Sequence, residues 1–211
     1  YMGTFHSICV RLLRQDGDSV GIPSNFVIFD ESDRRSAIKE AMKQLYIDEK
    51  QFKPQAISGL ISSAKNELVT PDQFAATATL PAQKVAAKVF PLYQRSLKQA
   101  GALDFDDLIG KAVAMLQQSA ELQKKWSQQF RYIMVDEYQD TNNAQYKMIS
   151  MLAQKYKNLC VIGDDWQSIY SWRGANMQNI LNFEKDYPNV KVIKLEQNYR
   201  STQTIVKAAN A

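Results

Sequence analysis

Histidine is almost missing from this sequence: His6 is the only one in 211 residues. With just two cysteines, Cys9 and Cys160, set far apart, no Cys/His spacing of the kind that holds a structural zinc can be drawn. Each cysteine sits among apolar residues, so two reduced thiols in a cytoplasmic protein are expected rather than a disulfide. No apolar run approaches the roughly 20 residues of a membrane-spanning helix, and no signal-peptide pattern opens the chain. Internal repeats and low-complexity segments are absent too. Dense runs of one charge are also lacking: 26 basic residues stand against 22 acidic ones, a net charge of +4 that permits a nucleic-acid partner without requiring it. The chain opens mid-pattern with "YMGTFHSICVRLL" and stops inside a helical stretch, "VKAANA", so it is expected to be a piece of a longer protein. What it does have is 45% hydrophobic residues, enough for a substantial core in one large domain or two small ones.

Three zones follow one another. The first, "GTFHSICVRLLRQ", reads as a turn leading into an amphipathic helix, with Thr4 or Ser7 as its N-cap. The second is helical throughout, with no alternating strand. Ala37, Ile38, Ala41, Met42 and Leu45 recur at helical spacing behind the caps Asp30 and Ser32, and another helix follows Pro54. Thr70 and Pro71 open a further helix, and Pro91 is expected to kink or divide the long one that begins at Pro81. In the third zone strands "YIMV", "NLCVIG" and "VKVIKLE" alternate with helices, the pattern of a parallel sheet built from βαβ units.

The stretch "YIMVDEYQDT" ends an apolar run in Asp136 and Glu137, with Asp140 close behind. As a strand buried in a parallel sheet, Ile133, Met134 and Val135 would deliver those acids at the carboxyl edge, where open α/β folds bind ligands. Adjacent carboxylates repel unless a cation or donors offset them, which fits a Mg²⁺ site; a solvated strand end, or an N-cap from Asp140 or Thr141, is the plainer alternative. A second apolar run, "LCVIG", brings Asp164, Asp165 and Gln167 to another strand end, after a Gly163 that lets the backbone turn closely. Two neighbouring parallel strands ending this way build one cleft. Tyr170, Trp172 and Arg173 come next. Two aromatics and a guanidinium in four residues suit the stacking of unpaired bases and the neutralising of phosphate, or else Trp172 is a core aromatic.

The segments "VDEYQDT", "GDDWQSIYSWRGA" and "LEQNYRS" resemble, in order and spacing, motifs of the UvrD/Rep/PcrA family of superfamily 1 DNA helicases, and "GTFHS" and "LDFDDL" are similar to two further family segments. The resemblance spans essentially the whole chain. It implies an α/β fold: a RecA-like P-loop NTPase parallel-sheet domain, incomplete here, with an inserted all-helical subdomain. Residues 1–16 and 101–190 would belong to the first motor domain, 17–100 to the insertion and 191–211 to the start of the second motor domain. The implied activity is ATP-dependent 3′ to 5′ movement along single-stranded DNA with unwinding at single/double-strand junctions, using Mg²⁺. Asp136 and Glu137 would form the metal site, Asp136 through water, while Glu137 orients or deprotonates the attacking water. Gln167 would contact the γ-phosphate or that water, and Gln139 and Asp140 would connect the nucleotide site to neighbouring motifs. Tyr199 would stack on the adenine and Arg200 would reach the γ-phosphate as an arginine finger. Thr4, Phe5 and His6 match a DNA-contacting segment. Asp104, Asp106 and Asp107 match nucleotide-site acids but stand at a helix start, where acids suit the dipole, so a structural role is expected. Lys65 and Asn66, beside a turn, are placed to touch DNA phosphate.

Two departures stand out. No G-x-x-x-x-G-K-[ST] loop occurs in the 211 residues, although its lysine and hydroxyl cradle the phosphates and complete the metal shell. Trp166 also replaces an acidic residue common at its position. The expectation is therefore a helicase fragment that is inactive alone, and the competing one is a non-catalytic DNA-binding or interaction module.

Overall fold

A computed structural model of the protein describes residues 1–167, 175–176 and 178–209. Two compact units divide it, Tyr1–Ile180 and Leu181–Ala211. In the first unit most helices begin where the sequence supplies a cap, an oxygen for the N–H groups that a first turn leaves unpaired. Thr4 accepts the Ser7 N–H at 3.3 Å and starts α1 (Phe5–Asp16). After a two-residue strand, β1 (Val27–Ile28), Asp30 and Asp33 exchange bonds to start α2 (Glu31–Gln44). Pro54 opens α3 (Pro54–Asn66), and Thr70 caps α4 (Pro71–Thr77).

The long helix α5 (Pro81–Gln99) runs unbroken through Pro91, where the sequence predicted a division. Pro91 lies on the exposed side, where water can serve the carbonyl that its missing N–H leaves without a donor. A second two-residue strand, β2 (Ala102–Leu103), pairs in parallel with β1, Val27 opposite Ala102 and Ile28 opposite Leu103. The sequence showed neither strand. Together they form a stem from which α2 to α5 depart and to which they return.

Beyond the stem come α6 (Phe105–Gln118), α7 (Ala120–Gln129), β3 (Ile133–Val135), α8 (Asn143–Ala153) and β4 (Leu159–Val161). β3 and β4 pair in parallel as a separate two-stranded sheet, with Met134 opposite Cys160. Val135 is buried and Ile133 half-buried against the core, while Met134 points outward and is 74% exposed. So β3 is covered on one face, not on both as expected of a buried parallel strand. Cys160 shares the outward face and is exposed, whereas Cys9 is buried against Met148, and burial pushes its thiol up to about 12. Both cysteines are free.

The expected helix after Ala175 is two short ones, α9 (Gln178–Leu181) and α10 (Phe183–Asp186), parted at Asn182. The expected strand "VKVIKLE" is not formed: residues 191–196 are exposed and pair with no neighbour among the described residues. Alternating Val and Ile make a strand only when another strand accepts their hydrogen bonds. A last helix, α11 (Gln203–Ala209), closes the second unit. No helix among the described residues is long and apolar enough to cross a membrane.

The first unit holds two apolar clusters. One gathers Leu12 and Leu13 of α1, Leu108 and Leu116 of α6, Trp126 of α7 and Met148 of α8. The other gathers Ile38 and Met42 of α2, Ile57 and Ile61 of α3, and Val89, Phe90 and Tyr93 of α5. Charge joins them. Lys65 of α3, only 8% exposed, reaches across to Asp104 at 2.7 Å and Asp107 at 3.0 Å. Asp104 caps α6 through the Asp107 N–H and also accepts the Tyr93 hydroxyl at 2.7 Å. Asp106 accepts from Ser62 of α3 at 2.7 Å and from Arg34 of α2 at 3.3 Å.

Burial alone would raise the Asp104 carboxyl, but Lys65, Tyr93 and the Asp107 N–H together hold it below its ordinary value. Asp107, less well provided, is pushed up to about 6 by burial and the nearby Asp104 charge, against the pull of Lys65. Burial likewise raises Asp106. The expected DNA contact of Lys65 is thereby corrected, because its ammonium is spent inside the fold. Changing Lys65 to Ala leaves two buried carboxylates without their cation, and urea unfolding of the chain should show a loss of about 3–5 kcal/mol.

Candidate active site

At the end of β3 the chain turns sharply. Glu137 adopts a left-handed backbone, φ 50° and ψ 44°, which is uncommon for a residue with a side chain and marks local strain held by its surroundings. Residues 138–140 then form a single 3-10 turn, and Asn142 caps α8, exchanging bonds with Gln145. Register brings the following loop alongside. Ile162 donates its N–H to the Val135 carbonyl at 2.8 Å, and Tyr138 donates to the Ile162 carbonyl at 2.9 Å, so the β3–β4 ladder continues past both strands.

Side chains carry the link further. Gln139, fully buried, donates its amide to the Glu137 carboxylate at 2.7 Å and accepts the Asp164 N–H at 3.0 Å. The Asp164 carboxylate in turn accepts the Gln167 amide at 2.6 Å and the Trp166 N–H at 3.0 Å. A continuous chain of hydrogen bonds thus runs from Glu137 through Gln139 and Asp164 to Gln167. Asp136 and Glu137 are both exposed at its mouth, and Asp136 accepts the Glu137 N–H at 3.0 Å.

Asp140 stands behind them, half-buried. One of its carboxylate oxygens is enclosed with no hydrogen-bond partner among the described residues, and its acidity is lowered first by burial and then by the Glu137 charge. Gly163 is required where it sits. A Cβ there would lie 2.7 Å from the Gln139 amide oxygen and 2.7 Å from the Ile180 Cδ1.

The structure thus brings Asp136, Glu137 and Gln167 onto neighbouring loops. Tyr170, Trp172 and Arg173 lie outside the described residues. Thr4 is occupied as the cap of α1, Phe5 packs partly against the first apolar cluster, and His6 meets Phe105 edge to face at 5.5 Å. Burial lowers the His6 imidazole below its ordinary value, against the opposite pull of Asp106. Tyr199 and Arg200 belong to the second unit, both exposed, in a turn where Asn198 accepts the Arg200 and Ser201 N–H groups at 2.9 Å each.

Sequence reasoning missed two buried amides. Asn142 donates to Asn66 of α3 at 2.8 Å, which ties the acidic segment to the helical cluster, and Asn179 donates to Thr141. An asparagine three places before a glutamine signals the cap, but nothing local signals its distant partner.

Comparison with known proteins bears on this geometry. Residues 1–188 match the model of the UvrD/REP helicase N-terminal domain. The chain belongs to that family. It is 52% identical over 210 residues to an ATP-dependent DNA helicase PcrA of Staphylococcus aureus, with all of this chain and 29% of that protein covered. It is also 49% identical over 211 residues to a protein of the same name from Leuconostoc citreum, covering all of this chain and 28% of that one. The chain therefore spans less than a third of the length of these relatives. A mostly helical chain with small parallel sheets is what this UvrD/REP-type domain presents here.

No group of three or more His, Cys, Asp or Glu side chains among the described residues could hold a metal ion. Mg²⁺ asks for less than that when substrate phosphates complete its shell: one or two carboxylates and several waters. Two adjacent exposed carboxylates, Asp136 and Glu137, fit that demand.

The tight seat of Gly163 gives a direct check. Gly163→Ala must displace Gln139 or Ile180, and overpacking of this kind should lower stability by about 1–3 kcal/mol in urea unfolding, with the Asp164 N–H losing hydrogen-exchange protection.

Proposed function

We propose that the protein carrying this chain is an ATP-dependent DNA helicase that moves 3′ to 5′ along single-stranded DNA and opens duplex at single/double-strand junctions, working in the cytoplasm. The observation that carries this reading is the hydrogen-bonded chain from Glu137 through Gln139 and Asp164 to Gln167, across the ends of two paired parallel strands. Membership in the UvrD/REP family supports it. In this reading the first motor domain is RecA-like and comprises residues 1–16 and 101–190, with 17–100 inserted and 191–211 beginning the second motor domain.

Mg²⁺, when bound with ATP, supplies neutralising charge on the β- and γ-phosphate oxygens, and Asp136 with Glu137 would hold it. Glu137 takes the proton of the attacking water, and its left-handed backbone and its bond from Gln139 fix where the carboxylate points. Gln167, bonded to Asp164, is poised to report whether the γ-phosphate is present. Tyr199 stacks on the adenine, and Arg200 stabilises the charge that grows on the transferring phosphoryl group. Tyr170 and Trp172 offer ring faces to bases and Arg173 a charge to phosphate; Thr4, Phe5 and His6 add contacts to the strand. The 211 residues contain no G-x-x-x-x-G-K-[ST] loop, so the chain alone turns over ATP negligibly.

Arg200 tests the reading. A finger acts on the transition state more than on bound ATP, so Arg200→Ala in the protein carrying this chain should leave ATP affinity within about tenfold and remove roughly 10³–10⁵ of DNA-stimulated turnover. Arg200→Lys should rescue little, since an ammonium lacks the planar fork that spans two oxygens. DNA-stimulated ATPase set beside nucleotide affinity decides it, and near-normal turnover by Arg200→Ala would return the arginine to a helix-start role.

A further inference from the structure

The loop after β4 is attached to the acidic segment at two places. On the near side, Asp164 donates its N–H to Gln139 at 3.0 Å. On the far side, the chain returns at Asn176, whose N–H donates to the Thr141 carbonyl at 2.9 Å. Asn179, 9% exposed, reinforces that return: its side-chain amide donates to the Thr141 carbonyl at 3.0 Å and the Thr141 hydroxyl at 3.1 Å. Its own N–H donates to the Asn176 carbonyl at 2.9 Å, so the short turn and the amide brace each other. Thr141, 2% exposed, passes the load on by donating its hydroxyl to the Tyr138 carbonyl at 2.7 Å, one residue from Glu137.

The two attachments differ in consequence from one. Held only at Asp164, the stretch between Gln167 and Ala175 would pivot about Gln139 whatever happened at Glu137. Held at both ends, it can shift only as the acidic segment shifts. We propose that Asn179 is a positioning residue for the DNA-stimulated reaction: it clamps the return of this loop to Thr141, so that a change at Glu137 is felt by the residues that meet DNA, and the reverse. The proposal rests on the helicase reading above and adds a residue to it. Asn179 touches neither Glu137 nor Gln167 through any hydrogen bond described here, so it acts only through Thr141.

Removing the amide should spare the fold. In Asn179→Ala the Thr141 carbonyl keeps the Asn176 N–H and the hydroxyl keeps the Tyr138 carbonyl, so neither buried oxygen is orphaned.

The experiment measures ATP turnover by the protein carrying this chain, with and without saturating oligo-dT, beside its affinity for oligo-dT under a non-hydrolysable ATP analogue and under ADP. For Asn179→Ala the expected result is DNA-free turnover within about twofold of wild type and DNA stimulation reduced about tenfold, the scale of an ordinary coupling between sites. The difference in oligo-dT affinity between the two nucleotide states should shrink in step. Thr141→Ser, which keeps the hydroxyl, should retain stimulation where Thr141→Val loses part of it, and this pair decides the matter if Asn179→Ala does not fold. Full stimulation in a folded Asn179→Ala, or equal loss of DNA-free and DNA-stimulated turnover, would overturn the proposal. A wild-type protein with no DNA-stimulated turnover would instead overturn the helicase reading, and the clamp with it.

Discussion

One buried ammonium holds the two halves of the first unit in register. Lys65 meets Asp104 and Asp107 at the start of α6, while the next residue, Asn66, accepts from Asn142 at the start of α8. A single helix end therefore fixes the helical cluster against both α6 and the segment that carries Asp136 and Glu137. Apolar packing between α3 and α6 would tolerate several offsets along the helix axis. An ammonium aimed at two carboxylates, with Tyr93, Gln94, Ser62 and Arg34 bonding to the same acidic cluster, accepts only one. Such a cluster adds little net stability over an apolar contact, since removing charges from water is costly; its effect here is to select one arrangement.

The same constraint explains why the acidic segment can hold strain. Glu137 sits in a left-handed conformation that a free loop would relax, but the residues on either side are fixed. Val135 is locked in the β3–β4 ladder, and Tyr138, Gln139 and Thr141 are buried and bonded. Downstream, the cap of α8 is held by Asn66. Pinned at both ends, the segment presents Asp136 and Glu137 outward while Gln139 reaches inward to Asp164. In this way position at the end of a parallel strand becomes a fixed geometry for two carboxylates.

How much of this could be read from sequence depended on how local each cause is. Caps and helical periodicity act over three or four residues, and Thr4, Asp30, Thr70 and Asp104 start helices in the structure. The placing of Asp136 and Glu137 at a strand end followed from an apolar run of three residues. Causes that join distant residues left no trace. β1 and β2 are two residues each and exist only because Val27 meets Ala102 across the whole helical insertion. Lys65 reads as an exposed lysine until its partners, 39 residues or more away, are known. Residues 190–196 alternate well enough for a strand, but a strand needs a neighbour. Gln139 was legible as a connector only through family resemblance, while Asn142 and Asn179, polar residues inside apolar surroundings, were not legible at all.

The central claim is that this pinned segment serves to activate water for attack on a nucleotide. It is tested most directly by DNA-stimulated ATP turnover in the protein carrying this chain with Glu137 changed to Gln, an amide of the same shape that cannot take a proton. Turnover should fall by roughly 10²–10⁴, the usual contribution of a general base, with ATP affinity little changed. Turnover close to that of the unaltered protein would contradict the claim and leave Glu137 as a strained residue at a solvated strand end.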